Sequence, residues 1–162
     1  MRVEFHISRH ELGSFESSLE AVLLNVDTAT KRGTEQACKE ILAESLEQVP
    51  RDTGTLASTA FYDVVRNMGT KRYTYQGIVG YAGTAGVGAS YDRFNPKSRS
   101  KVSSYAVRVH EDLGAKHPNG GKAKFLEDPV RAYGADNFSR VAETNWRHAI
   151  DASNAGTTLT RF

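Results

Sequence analysis

His110, Glu111 and Asp112, with His117 close behind, are the residue types that hold a divalent metal or move protons. The spacing for that chemistry is missing. A zincin presents two histidines one helical turn apart around a glutamate, and no H-E-x-x-H occurs in this chain. His110 also falls beside Arg108 on the polar side of an alternating segment, where a solvated histidine is the simpler reading. Ser, His and Asp are all present, but no nucleophile-elbow pattern selects three of them. "GTAGVGAS", Gly83 to Ser90, lacks the strand–loop–helix context and the Lys-Ser/Thr ending of a phosphate loop, so it reads as a flexible loop. His6, His10 and His148 have no partner at a recognisable spacing. Cys38 is the single cysteine, which excludes an intrachain disulfide and a cysteine-based metal cluster; it reads as a small apolar group on a helix face. The expectation is a protein without catalytic residues, metal or cofactor.

One charge concentration stands out. Arg93, Lys97, Arg99 and Lys101 lie together, with Asp92 at their edge and no further acid until Glu111. Tyr91 and Phe94 are close enough to stack. Such a segment is either a solvated loop or one that docks on an acidic protein surface or on phosphates. Glu40, Glu44 and Glu47 form a row that reads as a solvated helix face.

The elements that would carry these residues follow from periodicity. The chain has 162 residues, 39% hydrophobic and 25% charged, with a formal charge of +2. It is long enough for one domain with its own core, and its charge is too small to announce a nucleic-acid binder. The N-terminus has no signal-peptide core, and no apolar run approaches membrane-spanning length. Val3, Phe5 and Ile7 alternate with polar neighbours, which predicts a strand over residues 2–8. Phe15, Leu19, Val22, Leu23 and Val26 predict a short helix that breaks near Asn25–Asp27, with Asp27 or Thr28 capping the next. That longer helix runs to about Val49, burying Ala37, Cys38, Ile41, Leu42, Ser45 and Val49, and Pro50 ends it.

Alternation then predicts strands at 61–65 and 73–81, joined by a turn at Asn67–Thr70. Residues 82–103 read as a long loop without periodicity. Tyr105, Val107 and Val109 alternate with Ala106, Arg108 and His110, giving a fourth strand. Asp128-Pro129 opens a C-terminal helix with an apolar stripe, interrupted at Gly134. The fold class expected is α+β: two layers, an antiparallel sheet of about four strands with two main helices on one face. A single domain covers 1–152, and 153–162 form a loose tail.

The stretch "QVPRDTGTLASTAFYDVV", Gln48 to Val65, is an abrupt helix-to-strand corner. Gly54 permits a tight backbone, and Asp52 and Thr53 can bond back to the turn, fixing the angle between helix and sheet. Pro50, Asp52, Thr53, Gly54 and Leu56 match the "P-x-D-T-G-x-L" signature of the small neck and tail-completion proteins of long-tailed bacteriophages. These are also labelled minor capsid or head–tail joining proteins. "YAVRVHEDLG" resembles the family's "YA-x-x-x-E-x-G" strand at Tyr105, Ala106, Glu111 and Gly114, with His110-Glu111 at the strand end. "AKFLEDPVRAYG" resembles its "FL-x-P-A" entry to the last helix, at Phe125, Leu126 and Pro129. The three motifs occur in family order over roughly residues 20–150. Ala57-Ser58 depart from the usual pattern after the leucine, and Glu111-Asp112-Leu113-Gly114 from the usual "E-x-G-T".

The resemblance implies a structural virion protein, assembled in the host cytoplasm and located in the neck. It implies a homo-oligomeric ring of six or twelve subunits between head connector and tail terminator or tail tube. DNA would pass through that ring without sequence-specific binding. Whether the chain is a neck protein or a tail terminator stays open. Partner contacts would come from sheet edges and from the loop bearing Arg93, Lys97, Arg99 and Lys101. The alternative is a small nucleic-acid-binding module that uses those four cations.

Overall fold

The computed structural model describes residues 9–67, 74–82, 93–95, 97 and 99–156. The order is α1 (Arg9–Gln48), β1 (Ala60–Asn67), β2 (Thr74–Tyr81), β3 (Phe94–Asn95), β4 (Ser100–Lys101), α2 (Ala106–Glu111) and α3 (Glu127–Gly156), with 3₁₀ turns at Ala57–Thr59 and Val102–Ser104. The class is α+β.

α1 is one helix of 40 residues, roughly 60 Å long at 1.5 Å per residue. The break expected at Asn25–Asp27 does not occur. Asp27 does not cap; its Oδ2 accepts hydrogen bonds from Arg66 Nη2 at 3.2 Å and Tyr75 Oη at 3.1 Å, both on the hairpin. Thr28, Thr30 and Thr34 donate back to the carbonyls four residues earlier, at 2.9, 2.8 and 3.0 Å, so their hydroxyls are satisfied without ending the helix. Pro50 follows the end, and Arg51 Nη2 donates to the late carbonyl of Leu46 at 3.1 Å.

β1 and β2, eight residues each, form an antiparallel hairpin running from Ala60 opposite Tyr81 to Asn67 opposite Thr74. The expected turn residues 68–70 and the strand expected at 2–8 lie outside the described residues. The hairpin lies along α1, tied by Tyr62 Oη to Glu35 Oε1 at 3.3 Å and by the Ser45–Tyr81 hydroxyl pair at 2.8 Å. α3 packs antiparallel against another side of α1. Tyr133 donates to Glu40 Oε2 at 2.9 Å, Trp146 Nε1 to Thr30 Oγ1 at 2.9 Å, and Asn25 Nδ2 to Ser153 Oγ at 2.7 Å. Close approach is possible because Gly33 faces Ala142 and Val141. α1 is therefore a spine that receives both the hairpin and α3, rather than one of two helices laid on a sheet.

A four-stranded sheet is absent among the described residues, which form two separate two-stranded pairs. The segment expected as the fourth strand is helical: Ala106–Glu111 is α2. Tyr105, Ala106 and Val109 face the core while Val107 is exposed, a spacing that fits a helical turn and not alternation. Of the expected loop at 82–103, residues 83–92, 96 and 98 lie outside the described residues, and the described ones are partly structured. Ala82 is buried, β3 and β4 pair as Phe94 with Lys101 and Asn95 with Ser100, and Val102 is buried. α3 begins at Glu127, so Asp128 and Pro129 occupy its first turn, where a missing proline N–H costs nothing. Gly134 (φ 59°, ψ 174°) breaks α3 into two helical stretches joined by a kink. Of the expected tail at 153–162, residues 153–156 belong to α3, which runs to Gly156; residues 157–162 lie outside the described residues.

The core gathers at one end, where Val49, Leu56, Ala82, Val102 and Phe125 are buried together. The Phe125 ring meets Tyr81 edge-on at 5.2 Å and His110 at 4.9 Å. Cys38 is buried on α1, and burial raises its thiol pKa, as befits an apolar filler. At the opposite end, Leu12 (51% exposed), Phe15 (63%), Leu19 (48%) and Leu23 (60%) form a stripe on α1 that nothing covers among the described residues.

Candidate functional site

The corner is built from several independent ties. Ser58 N–H donates to Gly54 O at 3.0 Å, Thr59 N–H to Leu56 O at 3.0 Å, and the buried Thr59 hydroxyl to Leu56 O at 2.6 Å. Leu56 plugs the core below. Gly54 has φ 73°. Thr53 Oγ1 accepts from Thr55 N–H at 3.4 Å and pairs with the Thr55 hydroxyl at 2.7 Å. Asp52 does not return to the turn. It forms an ion pair with Lys97 Nζ at 2.6 Å, which joins the corner to the β3–β4 hairpin.

Residues 112–124 form an irregular excursion that comes back onto the corner. Lys122 N–H donates to Gln48 O at 2.9 Å, and Lys124 N–H to His110 O at 2.7 Å. A cleft of about 590 Å³ opens between these parts. Pro50, Arg51, Asp52, Thr53, Gly54 and Leu56 form one wall; Tyr105, Arg108 and Val109 a second; residues 116–120 a third; Lys97 and Ser100 stand at the rim. Arg51, Lys97, Arg108 and Lys116 bring four cations into the lining against one carboxylate, Asp52. Nε2 of His117 is buried with no hydrogen-bond partner among the described residues.

All five corner residues singled out by sequence thus line one cleft. Of the basic set, Lys97 reaches it, while Arg93, Arg99 and Lys101 are exposed on the adjoining hairpin segment. The other motif positions divide between cleft, core and surface. Tyr105 lines the cleft and also packs, with Ala106 and Leu126, against the cluster holding Leu56 and Phe125. Pro129 is buried in the first turn of α3, and Gly114 N–H donates to Asp112 Oδ1 at 3.0 Å.

His110, Glu111, Asp112 and His117 do not converge. His110 Nδ1 meets Glu111 Oε1 at 2.8 Å, and its Nε2 accepts from Glu127 N–H at 3.3 Å, so both ring nitrogens are occupied. Glu111 also bonds Lys124, and the Lys124 and His110 contacts hold its carboxyl below the ordinary range. No group of three metal-ligating side chains exists among the described residues, and none of their helices is long and apolar enough to cross a membrane. Arg51, Arg108 and Lys116 were not singled out by sequence reasoning. Arg108 was hidden by its reading as the outer face of a strand, and isolated basic residues such as Lys116 give no sequence signal. Comparisons with protein-family models, curated proteins and solved structures gave no match to this chain.

Proposed function

We propose that this chain is a structural subunit of the neck of a long-tailed bacteriophage, assembling into a ring of six or twelve copies that joins the head connector to the tail terminator or tail tube. The observation that carries the reading is the convergence of the three resemblance motifs. Leu56, Tyr105, Ala106, Phe125 and Leu126 come from distant parts of the chain and pack in one cluster. A signature that sets the geometry of a fold behaves this way; three chance matches need not meet.

The long helix supplies a second support. Its apolar stripe at Leu12, Phe15, Leu19 and Leu23 lies on the same helical line as Gly33 and Ala37, which face α3 and the interior. An apolar face that outruns its intramolecular partner is a surface for another copy. A specific contact would bury about 800 Å² on each partner. In a ring, the angle between successive contacts decides closure, so a stiff corner and a rigid spine serve assembly directly.

Light scattering and negative-stain microscopy of the purified protein, alone and mixed with the head connector, test the proposal. Closed rings of six or twelve, or a stable ring-on-connector complex, are the expected result. A chain that stays monomeric in both conditions ends it.

A further inference from the structure

We propose that the cleft under the corner binds phosphate groups carried on a nucleobase scaffold, those of a free nucleotide or of single-stranded nucleic acid. This goes beyond the assembly role and stands whether or not the chain forms rings.

Charge is the first reason. Four cations line the cleft against one carboxylate, and that carboxylate is already paired with Lys97. The whole chain carries only +2, so the excess in this one concavity is larger than that of the entire molecule. Concave walls of low dielectric concentrate such a field. Arg108 and Lys116 come from different walls, and neither makes an ion pair or side-chain hydrogen bond among the described residues.

Shape and lining give the second. About 590 Å³ lies within the roughly 300–1,000 Å³ of small-molecule sites. The apolar and ring-bearing part of the lining is Pro50, Leu56, Val109, Pro118 and Tyr105, beside polar Thr53, Ser100, Ser104 and Asn119. Cations that track phosphates beside an aromatic face on which a base can rest are the combination used by single-strand-binding grooves.

Outside the cleft lining, Arg93, Arg99 and Lys101 are exposed and form, with Lys97, a row of cations along the chain. A lone small anion has no use for that row, whereas successive phosphates of a strand do. The ion pair Asp52–Lys97 connects that segment to the corner.

Fluorescence anisotropy of the full chain with a labelled single-stranded DNA 12-mer, read across a salt series, tests this. Binding should weaken linearly in log–log form as salt rises. The double variant Arg108→Gln/Lys116→Gln should lose at least tenfold in affinity and flatten the salt slope by about 1.4, the loss of two phosphate contacts. Arg140→Gln, which removes an exposed cation outside the cleft lining, should leave both unchanged. Competition by a nucleoside diphosphate at micromolar concentration identifies the free nucleotide as the source; competition by unlabelled strand alone identifies the polymer. Either supports the proposal. No binding of strand or nucleotide at low salt overturns it, as does equal competition by polyglutamate, which would assign the cleft to an acidic peptide. An Arg140→Gln variant as weak as the double variant also overturns it, because binding would then follow overall charge.

Discussion

At the scale of single residues, two glycines at the corner carry different loads. Gly54 has φ 73° but open space around the position of a side chain. Gly121 has φ 91°, and a Cβ there would stand 2.5 Å from both Cα and N of Pro50 and 2.7 Å from the carbonyl carbon of Val49. Backbone atoms cannot swing aside as a flexible side chain can. Gly54→Ala should therefore cost only the left-handed strain, about 1 kcal/mol. Gly121→Ala adds steric displacement of the 116–124 excursion and should cost about 2–5 kcal/mol. Urea midpoints at constant slope measure both. Gly121→Ala should also weaken phosphate binding, because it lifts one wall of the cleft from the other. If Gly54→Ala is the more damaging of the two, the corner is not braced in the way its contacts indicate. The rigidity attributed from sequence to Asp52, Thr53 and Gly54 is shared with Leu56, the Thr59 hydroxyl and the Gly121 contact, and Asp52 contributes through Lys97 rather than through the turn.

At the scale of elements, Lys124 is the link between α2 and α3. It reaches Glu111 at the end of α2 and Glu127 Oε2 at 2.8 Å at the start of α3, and its own backbone is held at φ 58°. Lys124 lowers the carboxyl pKa of both glutamates; His110 adds to the effect at Glu111 and Arg131 at Glu127. A lowered folded-state pKa means that the stabilisation is present above the unfolded value near 4.3 and disappears as pH falls through the folded value. Lys124 is raised by the same partners, so its side of the linkage is lost as pH climbs through its folded value, above about 10.4. Lys124→Gln should thus be less stable than the parent at neutral pH, with the difference closing in acid. Glu111 is exposed and Lys124 and Glu127 are only half-buried, so added salt should shrink the difference as well. Thermal melts from pH 3 to pH 7 at two salt concentrations test this, and a difference that does not shrink between pH 7 and pH 3 contradicts it.

The same elements explain what could be read in the sequence. The hairpin strands were legible from alternation over 61–65 and 73–81, two apolar-alternating runs separated by a turn, and the end of α1 because Pro50 forbids its continuation. α2 was misread because six residues fit both a period of 2 and one of 3.6. Only the exposure of Val107 separates the two, and that is a tertiary fact. The continuity of α1 through Asp27 was equally hidden, since Asp27 spends its acceptor on Arg66 and Tyr75, far away in sequence. The cleft's new cations could not be found by spacing, because Arg51, Arg108 and Lys116 meet only when the 112–124 excursion folds back on the corner.

At the scale of the molecule, the organising fact is that, among the described residues, the spine is longer than its cover. The α3 contact on α1 runs from Glu40 as far as Asn25, where Ser153 closes the ladder. N-terminal to that point α1 continues to Arg9, carrying Leu12, Phe15, Leu19 and Leu23 into solvent. These four recur at helical spacing in line with the face that α3 covers lower down, so another helix laid in that line would meet a continuous apolar seam. Phe15→Glu/Leu23→Glu places two charges in the seam without touching the core at the other end of the molecule. Each position is exposed, so the folded monomer should lose no more than about 0.5 kcal/mol per substitution. Assembly should suffer far more, because a charge buried at a contact without a partner is costly. If the chain assembles as proposed, sedimentation velocity with and without the head connector should show the 17.8 kDa chain unassembled in the variant and incorporated in the parent, with matching circular dichroism. Normal incorporation of the double variant would place the subunit contact elsewhere, and would leave the hairpin edges as the surfaces that join one copy to the next.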